Sequence, residues 1–267
     1  MTAQARWPGL ALALGLIAVA AAGVLVLPGQ APPREQVIAA YTTALAHRSP
    51  GQVENAISAA RSLDGAVVPP GGEFSFNRRV GPWTSVRGYR RAPVSYDGEL
   101  VLATGGGVCQ VSTTLYGAAL HGGMEVLERH RHFWPANYAR PGMDAAVAFP
   151  SIDLRFRNPL DSPVRIQTRR EGAQLVVELL SATPPGSYCV EREYLAVHDP
   201  AIVLLHDAGL APGEVLQATR GQPGTEVAVY RVHQLPDGSS ERSLISVDSY
   251  PTLPRVMKTR PPEMGLN

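Results

Sequence analysis

Residues 103–123 read ATGGGVCQVSTTLYGAALHGG. Three successive glycines followed by a proline-free run confine this stretch to a sharp turn that opens into a helix. Gly105, Gly106 and Gly107 permit backbone angles with φ > 0, and successive N–H groups in such a turn converge on an anion or an oxyanion. From Val108 to His121 the spacing predicts a helix with Val111, Leu115 and Ala118 or Ala119 on a buried stripe. Cys109 falls in its first turn, where the positive end of the helix dipole favours thiolate. Ser112 and Thr113 follow over the same face, and Gln110 is a candidate donor beside the thiol. The opposing reading is a small buried cysteine at a tight packing point.

A nucleophilic thiol needs a base. Of seven histidines, His121 lies twelve residues along the helix, roughly 18 Å from Cys109, too far to serve. The segment RHRHFW is the better source: read as a strand over 128–134, it puts His130, His132 and Trp134 on one face and Arg129, Arg131 and Phe133 on the other. Asp144 or Asp153 would orient the imidazole, giving a Cys–His–Asp order like that of papain-like and transglutaminase-like sites. A His-x-His pair beside a cysteine also suits zinc, yet the sequence supplies no fourth ligand. No metal or cofactor is expected.

Punctuation and periodicity divide the rest. Pro8 to Leu27 carries no charged side chain and, as a helix, would span roughly 30 Å, the thickness of a bilayer core. Residues 1–28 therefore read as an uncleaved anchor or as a signal peptide cleaved near Ala20–Gly23. Arg6 as the sole preceding charge puts the N-terminus in the cytoplasm and the bulk of the chain outside, anchored or secreted. Residues 29–54 read as a Pro-rich spacer and entry helix: the spacing in 35–48 and again in 52–65 suggests two helices. Residues 55–182 read as an α+β domain, with alternating Phe74 and Phe76 in its core and strands in DLRFRN and VRIQT. Residues 184–262 read as a small all-β module with a hairpin through PDGSS.

The run from LVLATGGGVCQVSTTLYG through RHRHFW and PGMDAAV to SPVRI, with PPGGEFSFNRRVG and GYRRAPV upstream, resembles the VanW family over about 55–168. GGG-x-CQ-x-ST-x-LY followed by R-x-x-H and G-x-DA is not a generic pattern. Phe133 and Trp134 stand where the family pattern has a serine after the last histidine. The stretch 221–256 resembles the G5-like β modules that accompany such domains. The resemblance implies a cell-envelope setting with peptidoglycan or its precursors as the context, and brings no settled activity.

At a net charge of +1, no whole-protein electrostatic attraction to nucleic acid is expected. Local basic groups at Arg87, Arg90 and Arg129 are candidate contacts for carboxylate-bearing glycan or peptide, against the blander reading of a solvated face. Cys189 could pair with Cys109, closing a loop of about 80 residues worth roughly 4 kcal/mol; with no local spacing to suggest the partner, an unpaired Cys109 is the expectation. Two functions remain open: an envelope enzyme in which Cys109 attacks an amide or ester of a wall peptide, or a non-catalytic muropeptide or glycan binder whose cysteine is structural.

Overall fold

The stretch 35–48, whose apolar spacing suggests a helix, is a strand. Ala39, Thr43 and Leu45 are buried and Tyr41 partly so, while Ala40, Thr42 and Ala44 face solvent, a period of two that suits β-branched and aromatic side chains on a half-buried sheet. The computed structural model describes residues 34–96, 99–184 and 186–261. The apolar segment 1–28 lies outside them, and among the described residues no helix is long and apolar enough to cross a membrane.

In chain order the elements are β1 (Gln36–Ala44), α1 (Pro50–Leu63), β2 (Val67–Val68), β3 (Glu73–Ser75), α2 (Phe76–Val80), β4 (Arg91–Tyr96), β5 (Glu99–Thr104), α3 (Val108–His121) and β6 (Glu125–Glu128). They continue as β7 (Arg155–Arg157), β8 (Val164–Glu171), β9 (Gln174–Ser181), β10 (Ser187–His198), β11 (Ile202–His206), β12 (Val215–Gln217), β13 (Gly224–Gln234), β14 (Ser240–Tyr250) and β15 (Arg255–Thr259). The described chain is mostly β. The sheets run β1-β9-β8-β2, β3-β7-β6, β4-β5, β10-β13-β14 and β11-β15-β12. Among the described strands only β11 and β15 pair in parallel.

The second helix expected from the spacing forms as α1. Ser49 and Gln52 close a reciprocal capping box on its first turn, with Pro50 at the start, where its missing N–H costs nothing. Phe74 and Phe76 are both buried, but only Phe74 is in a strand; Phe76 opens α2. Phe74 sits opposite Phe156 of β7 in register, their rings stacked at 4.9 Å.

Helix α3 is the centre. Every residue from Val108 to Leu120 except Cys109 is buried, so the expected single stripe is in fact burial on every face, with the polar groups of Gln110, Ser112, Thr113 and Thr114 enclosed and hydrogen-bonded beside the apolar residues. It packs on β1 and β9 and against α1. Gly117 sits under the ring of Tyr41, where any Cβ would overlap it. Leu115, Leu120, Met124, Phe156, Ile166 and Leu179 are completely buried around it, each stabilising the fold by about 1.5–3 kcal/mol.

The hairpin β13–β14 closes the far side of α3 through polar anchors. Arg129 donates from Nη1 to both carboxylate oxygens of Asp248 at 2.6 Å, and Arg231 donates to the Met124 carbonyl at 2.6 Å. Tyr250 receives the Gly142 N–H at 2.8 Å. The Arg129 and Asp248 side chains are only 5% and 9% exposed. Removing Asp248 leaves the buried Arg129 charge with Asp144 as its remaining carboxylate but strips the acceptor from its Nη1. Asp248→Ala is therefore expected to lower stability by about 1.5–3 kcal/mol, read as a fall in the urea midpoint at unchanged m-value. A loss below about 1 kcal/mol would mean that the hairpin is held by its apolar contacts alone.

Candidate functional site

The glycine run makes a wedge that only bare backbone fits. Gly107 has φ +107°, and a Cβ there would run into the backbone of Gln52 in α1; one on Gly106 would meet the carbonyl of Pro93 in β4. The chain is thus pressed between α1 and β4 before it enters α3. Val108 and Gln110 spend their N–H groups on the carbonyls of Gly105 and Gly107, at 3.1 and 3.2 Å, and no backbone acceptor among the described residues takes the N–H of Cys109. That donor stands at the positive end of α3.

Cys109 is partly buried, with Sγ 3.4 Å from the carbonyl of Val147. It faces a cavity of about 610 Å³ lined by His47, Arg48, Gln52, Pro93, the three glycines, His132 and the segment Trp134–Tyr138. Gln222 and Leu253, from the C-terminal β strands' connections, complete the wall. Burial pushes the Cys109 thiol up, but the hydrogen bond to His132 and the charge of that ring outweigh it, and the thiol is held below its ordinary value.

His132 reaches the thiol from an irregular segment. The strand expected over 128–134 ends at Glu128. Beyond it the backbone N–H of His132 donates to Asp144 Oδ2 at 2.7 Å, and Arg131 Nη1 donates to the carbonyl of His132 at 2.9 Å; side chains have taken the groups that a ladder would need. His132 Nδ1 also lies 2.7 Å from Asp144 Oδ2, which assigns Nδ1–H to the carboxylate and leaves Nε2 for the thiol. Tyr138 Oη is 3.5 Å from Nε2. Burial alone would lower the pKa of this imidazole, yet the bonds to Asp144 and Cys109 raise it to about 10. The pair is coupled: the ring is pushed toward its protonated form and the thiol toward thiolate.

Asp144 is 1% exposed and fully engaged. Besides His132, its Oδ1 accepts from the Tyr250 hydroxyl at 2.5 Å and from Arg129 Nη2 at 3.1 Å. Burial raises its pKa, while the His132 bond and the Arg129 charge overcome that and hold it below the usual carboxylate range. Arg129 Nε donates to the Asp144 carbonyl at 2.6 Å, so Arg129 is a buried support behind the site and not a contact facing the cavity. Ser112 donates to the Ala145 carbonyl at 2.7 Å, and Thr113 Oγ1 accepts the Ala145 N–H at 3.0 Å. Both hydroxyls pin the Asp144 segment to α3.

Several residues grouped by the sequence are apart in space. His130 is exposed, 3.1 Å from Glu128. Asp153 accepts from Ser75 Oγ at 2.5 Å and from the Asn77 N–H at 2.8 Å, which ties it to the first turn of α2 behind the capping residue Ser75. Gln110 borders the same cavity as Cys109, but it is buried and spends its amide donors on Thr43 Oγ1 and the Ala44 carbonyl. Arg87 folds back onto the carbonyls of Val80, Gly81 and Pro82, and Arg90 pairs with Glu54 on an exposed surface. Cys189 is exposed and not bonded to Cys109. Among the described residues no group of three or more His, Cys, Asp or Glu is placed to hold a metal ion. The sequence reading missed Arg48, Tyr138, Asp248 and Tyr250; the last two lie more than a hundred residues from their partners, where no local spacing signals them.

Residues 51–180 match a family model described as VanW like protein. The uncharacterized protein YoaR of Bacillus subtilis is 35% identical over 147 residues, covering 55% of this chain and 48% of that protein. The vancomycin B-type resistance protein VanW of Enterococcus faecalis is 27% identical over 178 residues, 62% of this chain and 65% of that one. The chain thus spans between about half and two thirds of the curated relatives it matches. Among solved structures, HP0197-G5 aligns at 19% identity with a TM-score of 0.17, over 27% of this chain and 97% of that one. The G5 domain of IgA1 protease aligns at 18% identity with a TM-score of 0.21, over 28% and 90%. The chain carries a VanW-family domain over residues 51–180.

Proposed function

We propose that this protein is an outward-facing cell-envelope enzyme that acts on peptidoglycan or its precursors through a Cys109–His132–Asp144 triad. The observation that carries the reading is the 2.7 Å bond from His132 Nδ1 to buried Asp144, which turns Nε2 to a thiol at the mouth of a cavity. The VanW-family match supports the envelope setting, as does the apolar N-terminal segment of the sequence.

In the proposed reaction the Cys109 thiolate adds to the carbonyl carbon of an amide or ester in a wall peptide. The C–S bond forms as the carbonyl π pair moves onto oxygen, and that oxygen accepts a hydrogen bond from the backbone N–H of Cys109. Collapse breaks the bond to the leaving amine or alcohol, which takes the proton from His132 Nε2. Neutral His132 then deprotonates a water that attacks the thioester, and the thiolate returns with the proton back on the ring. Asp144 stays ionised throughout and holds the ring's tautomer.

A second reading rests on Gln222 and Leu253, which bring the C-terminal strands to the cavity wall: a recognition groove for a muropeptide or glycan with a structural cysteine. Turnover separates the two. Cys109→Ser is expected to abolish hydrolysis or transfer on purified muropeptides while leaving their affinity within about threefold, an effect on the transition state alone. Muropeptide binding with no turnover by the wild-type chain would favour the binder.

The thiol gives a substrate-independent check. Alkylation of Cys109 by iodoacetamide is expected below the pH at which an ordinary thiol of pKa about 8.5 reacts, and His132→Ala should move its midpoint upward, because the ring's hydrogen bond and charge are lost while burial remains. Turnover needs the protonated ring, so its rate should fall as pH rises through about 10. A Cys109 that alkylates like exposed Cys189 would end the enzymatic reading.

A further inference from the structure

Arg48 is a cation in the wall of the reactive cavity with no acid beside it. The residues lining that cavity include His47, Arg48 and His132 and not one aspartate or glutamate. Arg48 Nη2 donates to Asn137 Oδ1 at 2.8 Å, and its guanidinium lies 4.4 Å over the ring of Tyr138. Among the described residues nothing accepts from its Nε or Nη1. A partly buried guanidinium left with spare donors is costly unless a ligand completes it. Burial lowers the pKa of Arg48, with Tyr138 as the one opposing group and no carboxylate contributing.

Arg48 and the imidazole share one tyrosine: the guanidinium lies over the ring of Tyr138, whose hydroxyl is 3.5 Å from His132 Nε2. Arg48, His132 and Cys109 line the same cavity, a gap that one or two residues of extended peptide, at about 3.5 Å each, can bridge. Arg48 follows His47, whose φ of +63° is strained for a non-glycine residue, and the turn there carries both side chains to the cavity. Asn137 and Tyr138 fix the guanidinium from two sides. A carboxylate matches the remaining edge in charge and planarity, by the paired N–H···O geometry that guanidinium offers.

We infer that Arg48 is a carboxylate-recognition residue, and that the substrate of the Cys109 site carries a free carboxylate one to two residues beyond the carbonyl attacked: the C-terminal end of a peptide. This deepens the thiol-enzyme reading and rests on it. The bond acted on then lies at or next to the last residue of a stem, and the chain's interior amide bonds, lacking that charge, are poorer substrates.

The test uses two probes that differ only at the far end, iodoacetyl-glycine and iodoacetyl-glycinamide. In both, the thiolate attacks the iodine-bearing carbon, a C–S bond forms and iodide leaves with the bonding pair. Labelling of Cys109 and of exposed Cys189 in the full chain is followed by peptide mass spectrometry, so that Cys189 supplies the ratio for an unguided thiol. The acid is expected to label Cys109 faster than the amide by about tenfold relative to Cys189, the worth of one charge-assisted contact. Arg48→Gln should bring that ratio to about one, and Arg48→Lys should keep part of it, since charge remains while the fork is lost. A ratio near one in the wild-type chain, or one that survives in Arg48→Gln, overturns the carboxylate subsite while leaving a reactive Cys109 standing. Failure of either probe to label Cys109 ahead of Cys189 overturns the thiol-enzyme reading and the subsite with it.

Discussion

A buried charge cluster sets the geometry on which everything else depends. Arg129 bridges Asp144 and Asp248, and Asp144 in turn holds His132. Burial of any one of these groups alone would be prohibitive; together they satisfy each other's hydrogen bonds, which is the condition under which low dielectric strengthens a network instead of breaking it. The cluster joins three parts of the chain: the exit of β6, the Gly142–Val147 segment and the β13–β14 hairpin. Fixing Asp144 fixes the imidazole, and fixing the imidazole decides the ionisation of the thiol.

The cluster also explains why the glycine run matters. From Val108 to Leu120, Cys109 is the one residue of α3 that is not buried, so the helix meets the cavity at its first turn. The backbone wedge of Gly105–Gly107 keeps α1 and β4 close enough to wall that opening without a side chain in the way. Ser112 and Thr113 then carry the position of α3 over to Asp144 through Ala145. One helix thus carries two kinds of residue: the sulfur borders the cavity, while the hydroxyls a turn later hold the segment that bears Asp144.

Local patterns made α1, α3, β7, β8 and the β13–β14 hairpin legible, because each rests on spacing, caps or turn residues within a few positions. Cys109, His132 and Asp144 were readable as a set, although the sequence could not choose His132 over His130 or Asp144 over Asp153. That choice is made by contacts: His130 faces Glu128 and Asp153 holds the first turn of α2. The misreading of 35–48 has the same origin in reverse. Val37, Ala40, Tyr41 and Leu45 fit a helical stripe on paper, but pairing with β9 and the seat of Tyr41 over Gly117 select the strand, a tertiary decision that propensity does not carry. Arg48 and Tyr138 gave no signal because a cation and a ring are unremarkable until a cavity brings them together.

The long sequence separation within the cluster orders events in time. Arg129 and Asp248 are 119 residues apart, so a chain made from its N-terminus exposes Cys109 well before the strands that complete the support behind Asp144 exist. Until β14 docks, Arg129 lacks one of its two buried carboxylates and Asp144 lacks the Tyr250 hydroxyl. The scaffold that holds His132 is thus closed by strands made long after the helix that bears Cys109.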